Sequence, residues 1–372
     1  MKLTIERAAL LASLNHAQGV VERRNTIPIL SNVYIEASDG RLKLTATDLD
    51  VAVSDAVTAD VGQAGATTAS AHTLYDIVRK LPDGAQIEMA YADDSGRLTL
   101  RAGRSEFSLA CLPKEDFPVM AEGELPYRFV LGAGELERLI DKTRFAISTE
   151  ETRYYLNGIY LHATEAAGIP VLRAVATDGH RLARVDMPMP EGADGMPGVI
   201  VPRKTVTEIR KLVEDCESEV EIGLSESKIR FAFDDLVLAS KLIDGTFPDY
   251  ARVIPEANDK VMEVDGKLFA DAVDRVSTIS TEKSRAVKLA LDKDRLVLSA
   301  TSADSGSASE ELPVTYDEGR LEIGFNSRYL LDIAHLMEGD NARFFMADAA
   351  SPTLVRDDSD EGALYVVMPM RV

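Results

Sequence analysis

Six consecutive residues, Thr177, Asp178, Gly179, His180, Arg181 and Leu182, put a carboxylate, an imidazole and a guanidinium in one short stretch. A carboxylate two residues from an imidazole could serve as an acid/base pair, the chemistry of a hydrolase. The corresponding places elsewhere in the chain hold Thr47, Asp48, Leu49 and Asp50, and Thr301, Ser302, Ala303 and Asp304. The turn is therefore a repeated structural device, and His180, Arg181 and Leu182 are peculiar to its middle copy. A local binding feature fits them better than catalysis by Asp178 and His180, because no nucleophile, cofactor or metal signal accompanies the pair.

Other chemistry is scarce. No G-x-x-x-x-G-K-[ST] segment occurs, and no G-x-G-x-x-G follows a strand and opens a helix, so nucleotide binding is unsupported. His16, His72, His162, His180 and His335 are scattered without an H-x-x-x-H pair, and nothing is spaced as a metal centre. Cys111 and Cys216 lie far apart with no C-x-x-C spacing, so neither a disulfide framework nor a zinc site is expected. The second unusual segment is the C-terminus, Tyr365 to Val372, which ends without a polar tail. As a strand it would place Val366, Met368 and Met370 on one face and Tyr365 and Val367 on the other. It could be a strand buried on both sides. Pro369 cannot donate to a ladder, however, which favours an edge, and flexible thioethers suit a peptide-binding groove.

The elements that must position these residues repeat three times. A strand entering an amphipathic helix is read at 2–20, 127–147 and 260–279, and a strand ending in Ala-Thr recurs as Ala46-Thr47, Ala176-Thr177 and Ala300-Thr301. The period, roughly 125–130 residues, is that of a domain and not of a solenoid repeat. The first helices carry apolar residues at spacings of three and four: Leu10, Leu11 and Leu14; Leu136, Leu139 and Ile140; Leu268, Phe269, Ala272, Val273 and Val276. Second helices are expected at 73–81, 204–213 and 327–337, with alternating segments between and after them that have strand periodicity. The economical fold is α+β, with two helices on one face of antiparallel sheet in each repeat. Proline and glycine near Glu122 to Pro126 and near Ile254 to Asn258 mark short joints, giving domains 1–125, 126–254 and 255–372.

With 372 residues, 45% of them hydrophobic, each repeat can bury a core. No stretch of eighteen apolar residues and no signal-peptide pattern occurs, so a cytoplasmic protein with no membrane role is expected. The net charge of −21 argues against a protein that coats nucleic acid through its overall field, and any DNA contact must be local.

The threefold repeat, together with Arg153 to Gly158, Ala176 to Leu182, Phe247 to Tyr250 and Val366 to Arg371, closely resembles the bacterial DNA polymerase III beta subunits, the sliding clamps. The likeness covers the whole chain. It implies a head-to-tail homodimer, a ring of six similar domains with helices lining the hole and sheets outside. Such a ring encircles double-stranded DNA without reading bases and confers processivity on a polymerase. It implies no catalytic activity and no cofactor. The implied partners are the replicative polymerase alpha subunit, the clamp-loader delta subunit within an ATP-using loader, and other clamp-motif proteins of repair and replication control.

By the same resemblance a partner's linear motif enters a pocket matched by Tyr155, Thr177, Gly179, His180, Arg181, Leu182, Pro248, Arg252, Val253, Asn326, Tyr329, Pro352, Val366, Met368, Pro369 and Met370. Leu182, Pro248, Val253, Val366, Met368 and Met370 would form apolar walls, with His180, Arg181 and Arg252 at a polar rim. Arg24, Arg153, Tyr154, Arg203, Lys204, Arg210 and Lys211 match or neighbour DNA-facing positions as mobile cations, and His72 stands where a basic residue would be expected. For the ring contact, the first repeat offers Arg97, Arg101 and Arg104 with Phe107 and the third offers Asp304, Glu310 and Glu311 with Ile279, opposite charges around an apolar centre, the alternative being ordinary solvated strand faces. Ser305 to Ser309 is nearly neutral where the family is acidic. A static assembly scaffold that never encloses DNA is the competing non-enzymatic reading.

Overall fold

The computed structural model describes residues 1–92, 94–120, 123–214, 216–280 and 285–372. Glu122, at the first expected joint, lies outside them. Six α-helices run among the described residues: α1 (Arg7–Val20), α2 (Ala71–Val78), α3 (Ala133–Asp141), α4 (Arg203–Val213), α5 (Gly266–Ser277) and α6 (Ser327–Ala334). The chain parts into two compact units. One comprises residues 1–135, 191–193 and 204–242, the other 136–190, 194–203 and 243–372.

In the first unit an eight-stranded antiparallel sheet runs in the order Tyr127–Gly132, Glu219–Leu224, Lys228–Phe233, Leu236–Lys241, Val51–Thr58, Arg41–Thr47, Asn32–Ser38, Gly65–Ser70. A five-stranded sheet ends at the edge strand Ser105–Ala110. Helices α1 and α2 pack together, with Leu10, Leu14, Ala17, Leu74 and Val78 buried. This is the face expected from spacings of three and four, although Leu11 is only half-buried. Helix α2 begins at Ala71 because the Ser70 hydroxyl accepts from the Thr73 N–H, earlier than the sequence pattern suggests.

The second unit repeats the plan. Its eight-stranded sheet has the order Val199–Pro202, Gly158–Ala166, Ile169–Thr177, Arg181–Pro188, Asp360–Val367, Thr353–Asp357, Asn341–Met346, Lys260–Asp265, and a four-stranded sheet ends at Gly306–Pro313. Helices α5 and α6 pack together. Phe269, Ala272, Val273 and Val276 of α5 are buried, while Leu268 is 48% exposed and does not belong to the apolar face. Helix α6 stops at Ala334, short of 337. Just beyond it the Asp357 carboxylate takes the N–H groups of Glu338 and Gly339 and turns the chain.

The repeats do more than pack at short joints: they share ladders. Leu236–Lys241 pairs with Val51–Thr58, and Asp360–Val367 pairs with Arg181–Pro188. The middle repeat therefore contributes strands to both units, and compactness follows shared backbone hydrogen bonding instead of the sequence period. The C-terminal strand is not an edge. It sits between two partners, and its ladder ends at Val367. Pro369 lies beyond the last ladder residue, where its missing N–H disrupts nothing.

Candidate partner-binding, DNA-facing and ring-contact sites

The residues expected to form the partner pocket belong to the second unit, around the end of the Arg181–Pro188/Asp360–Val367 ladder. At that end the Thr177 hydroxyl donates to the Arg181 carbonyl (2.7 Å) and accepts from the Gly179 N–H (3.1 Å), closing a tight turn. Gly179 has φ +88°, a conformation that L side chains rarely adopt. The Asp178 carboxylate accepts from the N–H groups of His180 and Arg181 and from Arg181 Nε. Asp178 thus binds the His180 backbone, while the imidazole lies over the Tyr329 ring at 6.5 Å. The two side chains form no acid/base dyad.

The C-terminal residues close on this turn. Met368 N–H donates to the His180 carbonyl (2.8 Å) and Met370 N–H to the Gly324 carbonyl (2.8 Å), two residues before Asn326, which caps α6. Thr353 pairs with Val367 and Leu354 with Val366, which brings Pro352 alongside. The Asn258 amide holds the Pro352 carbonyl at 2.9 Å.

Leu182 and Val366 are each only 2% exposed and join a packed cluster with Leu156, Val175, Phe247 and Leu364, against which Tyr155 packs. They make a floor, not open walls. Val253 (47%) and Met368 (38%) are exposed, as is Pro248, and Met370 is half-buried. The Phe247 to Tyr250 motif is explained by packing. The Phe247 ring stacks on Tyr160 at 4.8 Å, and the Tyr250 hydroxyl takes a hydrogen bond from Arg173, whose guanidinium grips Asp186 through two bonds of 2.6 and 2.8 Å.

Arg181 corrects a second expectation. It is buried, its guanidinium bonded to Asp178, Asp332 and the Phe145 carbonyl, with the Tyr329 ring at 4.4 Å and the Phe145 ring at 5.0 Å. It is a strut between the turn and α6, not a rim group. Arg252 is exposed and paired with its neighbour Asp249 (2.8 Å). Asp332 and Phe145 went unnoticed in the sequence, because only the ladder brings α6 to the turn.

The DNA-facing candidates are less mobile than phosphate contact alone requires. In the first unit Lys204 Nζ donates to the Val20 carbonyl (3.0 Å), to Glu22 (3.1 Å) and to Asp48, tying α4 to the C-terminal end of α1. Burial pushes the Asp48 carboxyl up, but Lys204 and the N–H groups of Val51 and Asp50 outweigh it and hold the group below its ordinary value. His72 Nε2 bonds the Val21 carbonyl (2.9 Å) and serves as a cap. Lys211 pairs with Glu208 (2.8 Å), and Arg210 lies on the same helix. In the second unit Arg153 pairs with Glu150 (2.8 Å), and Tyr154 beside it is 53% exposed. Arg24 and Arg203 are exposed.

The ring-contact candidates lie on or beside the edge strands Ser105–Ala110 and Gly306–Pro313. Arg97 holds Ser108 (2.7 Å) and Arg101 pairs with Glu106 (2.8 Å) near half-buried Phe107, while Arg104 is exposed in the adjoining turn. In the other unit Glu310 pairs with Arg275 (2.6 Å) and Glu311 with Arg295 (3.5 Å), Asp304 is exposed and Ile279 half-buried. Among the described residues no group of histidine, cysteine and carboxylate side chains could hold a metal ion, and no helix is long and apolar enough to cross a membrane.

Models of the DNA polymerase III beta subunit match the chain in three consecutive pieces. The N-terminal domain covers residues 1–121, the central domain 131–249 and the C-terminal domain 251–371. The beta sliding clamp of Caulobacter vibrioides is 57% identical over 372 residues, all of both chains. The crystal structure of the C. crescentus clamp superposes with a TM-score of 0.98 at 57% identity, covering 100% of this chain and 99% of that one. The clamp of Bartonella birtlesii, bound to griselimycin, gives 0.97 at 52% identity and 100% of both chains. The chain therefore belongs to the bacterial beta sliding clamps, the DNA polymerase III beta subunits: DNA sliding clamps of three similar domains that act as processivity factors and not as enzymes.

Proposed function

We propose that the residues around the 177–182 turn and the C-terminus form the pocket through which this clamp holds its partners, each inserting a short linear motif. The observation that carries the reading is the Met368–His180 hydrogen bond of 2.8 Å, which joins the two unusual sequence segments beside exposed Met368. Leu182 and Val366 give the pocket a rigid apolar floor. Pro248, Val253, Met368 and Met370 offer the accessible apolar surface, and His180 and Tyr329 a stacked rim. Partners of this kind include the polymerase alpha subunit, the clamp-loader delta subunit and other replication and repair proteins.

The clamp works on DNA in the cytoplasm, with domains 1–125, 126–254 and 255–372. The edge strands Ser105–Ala110 and Gly306–Pro313 meet head to tail in the dimer. Arg97, Arg101, Arg104 and Phe107 face Ile279, Asp304, Glu310 and Glu311 of the partner subunit, and charges exchange from intramolecular to intersubunit pairs. Arg24, Arg153, Tyr154, Arg203, Arg210 and Lys211 touch phosphate weakly, and Lys204 chiefly positions α4. The deciding experiment is retention on nicked circular DNA after loading with a clamp loader and ATP, before and after one restriction cut. Loss on linearisation supports a topological link, whereas retention would mean ordinary affinity and refute enclosure. Failure to load with a competent loader favours the static scaffold.

A further inference from the structure

One face of the first unit's eight-stranded sheet, bearing Tyr34, Thr45, Ala52 and Ala239, carries a cavity of about 500 Å³, within the range of ligand sites. Its place in the fold matches that of the pocket in the second unit. Ser240 lies opposite Val51 as Val367 lies opposite Arg181. The next residue repeats the same bond, Lys241 N–H to the Asp50 carbonyl at 2.8 Å and Met368 N–H to the His180 carbonyl at 2.8 Å. Thr47 bonds the Val51 carbonyl as Thr177 bonds that of Arg181. A Phe-Pro pair, Phe117-Pro118 or Phe247-Pro248, marks each connector.

What differs is side-chain volume. Leu182, Val366 and Val175 fill the second unit's face beneath Phe247. The same registers in the first unit hold Ala52, Ala239 and Thr45, and the space they leave is roofed by Phe117, Pro118, Val119 and Met120. Val119 is 90% exposed. The Tyr34 and Phe117 rings, 5.5 Å apart and tilted by 42°, make an aromatic wall. Thr45 and Ser54 hydroxyls, 3.2 Å apart, supply a polar spot on the floor. Lys43, Lys114, Glu36 and Glu115 complete the lining, and none of them forms an ion pair with a described residue.

We propose that this cavity is a second peptide site, taking an extended segment of a partner protein with one tryptophan-sized aromatic anchor flanked by an acidic and a basic residue. The small floor residues leave room for a wider anchor than the counterpart admits. The tilted rings and paired hydroxyls match an indole with its N–H, and the four unpaired charges match flanks of both signs. The inference rests on the peptide-pocket reading of the counterpart.

The chain contains no tryptophan, so the fluorescence of a probe peptide can be read without background. The blocked pentapeptide Glu-Leu-Trp-Leu-Lys is titrated into the full-length clamp, Met370→Glu, Ala239→Phe and the double variant. Two sites per chain are expected. Met370→Glu keeps one, and adding Ala239→Phe weakens that one at least tenfold. Absence of binding to Met370→Glu, or residual binding that Ala239→Phe leaves unchanged, overturns the proposal. If Met370→Glu changes nothing and Ala239→Phe removes all binding, the counterpart reading fails and this site stands. Thr45→Phe, which fills the same cavity from another strand, replaces Ala239→Phe if thermal unfolding shows that variant destabilised.

Discussion

The Met368 N–H donates to the His180 carbonyl across 2.8 Å, one residue past the end of the ladder that joins the middle and last repeats. The bond fixes the direction in which the final residues leave the sheet. Met370 then reaches Gly324, where a Cβ would lie 2.6 Å from the Met370 carbonyl oxygen. Only glycine allows this approach, so the C-terminal segment is built into the site and is not a loose tail.

Removal of residues 368–372, or Met370→Glu, should therefore lower the affinity for a clamp-motif peptide by about thirtyfold or more, the roughly 2 kcal/mol of a buried apolar anchor. The proposed dimer contact, on the strands Ser105–Ala110 and Gly306–Pro313, lies elsewhere, so the dimer should persist. Fluorescence anisotropy with light scattering checks both statements, and unchanged peptide affinity would refute the pocket.

Asp332→Ala should destabilise the chain by about 2 kcal/mol, the scale of a hydrogen bond to a charged group, since it strips a carboxylate from buried Arg181. Motif-peptide affinity should fall as well, because Arg181 packs on the Tyr329 ring at 4.4 Å. Asp332→Asn keeps an acceptor and should lose less of both. Urea unfolding with peptide titration provides the measurement. Equal stability of wild type and Asp332→Ala would contradict the strut.

Gly179→Ala should cost about 1–3 kcal/mol, because φ +88° is strained for any L residue and a Cβ would stand 2.6 Å from Arg153 Nη1. The flexible guanidinium can move, so the backbone term dominates. Chemical denaturation gives the answer, and a neutral substitution would show that the turn relaxes.

The Asp48–Lys204 pair makes stability depend on pH in a defined direction. Lys204 has its ordinary value lowered by burial but raised more by Asp48 and Glu22, so its contribution is complete below the usual ammonium range and lost as pH rises through the raised value. Asp48 is depressed, so its contribution is present above the usual carboxylate range and lost as pH falls through the depressed value. The melting temperature of Asp48→Asn should lie below that of wild type at neutral pH, and the gap should shrink only as pH falls below the usual carboxylate range and through the depressed value. A gap independent of pH would remove the pair from the account.

Much of the fold is legible in the sequence, because apolar spacing and turn residues are local properties. Strand-to-helix openings at 2–20, 127–147 and 260–279 became Lys2–Glu6 with α1, Tyr127–Gly132 with α3, and Lys260–Asp265 with α5. Boundaries erred where a cap intervened, as at Ser70 and Asp357. The C-terminal strand was harder: alternation assigns its two faces, but nothing in the sequence names its neighbours, so Pro369 suggested an edge.

The sequence by itself determined the repeats, the helix faces, the two unusual segments at 177–182 and 365–372 and the family resemblance, since these follow from residue type and order. Tertiary structure alone decided which cations are held. Arg181 is enclosed by Asp178, Asp332 and Phe145, and Lys204 by Val20, Glu22 and Asp48, through contacts between residues distant in the chain. It also decided that Leu182 and Val366 form a floor while Ala52 and Ala239 leave a cavity. Local sequence records a side chain's size and charge, whereas burial and ion pairing depend on what the ladders bring against it.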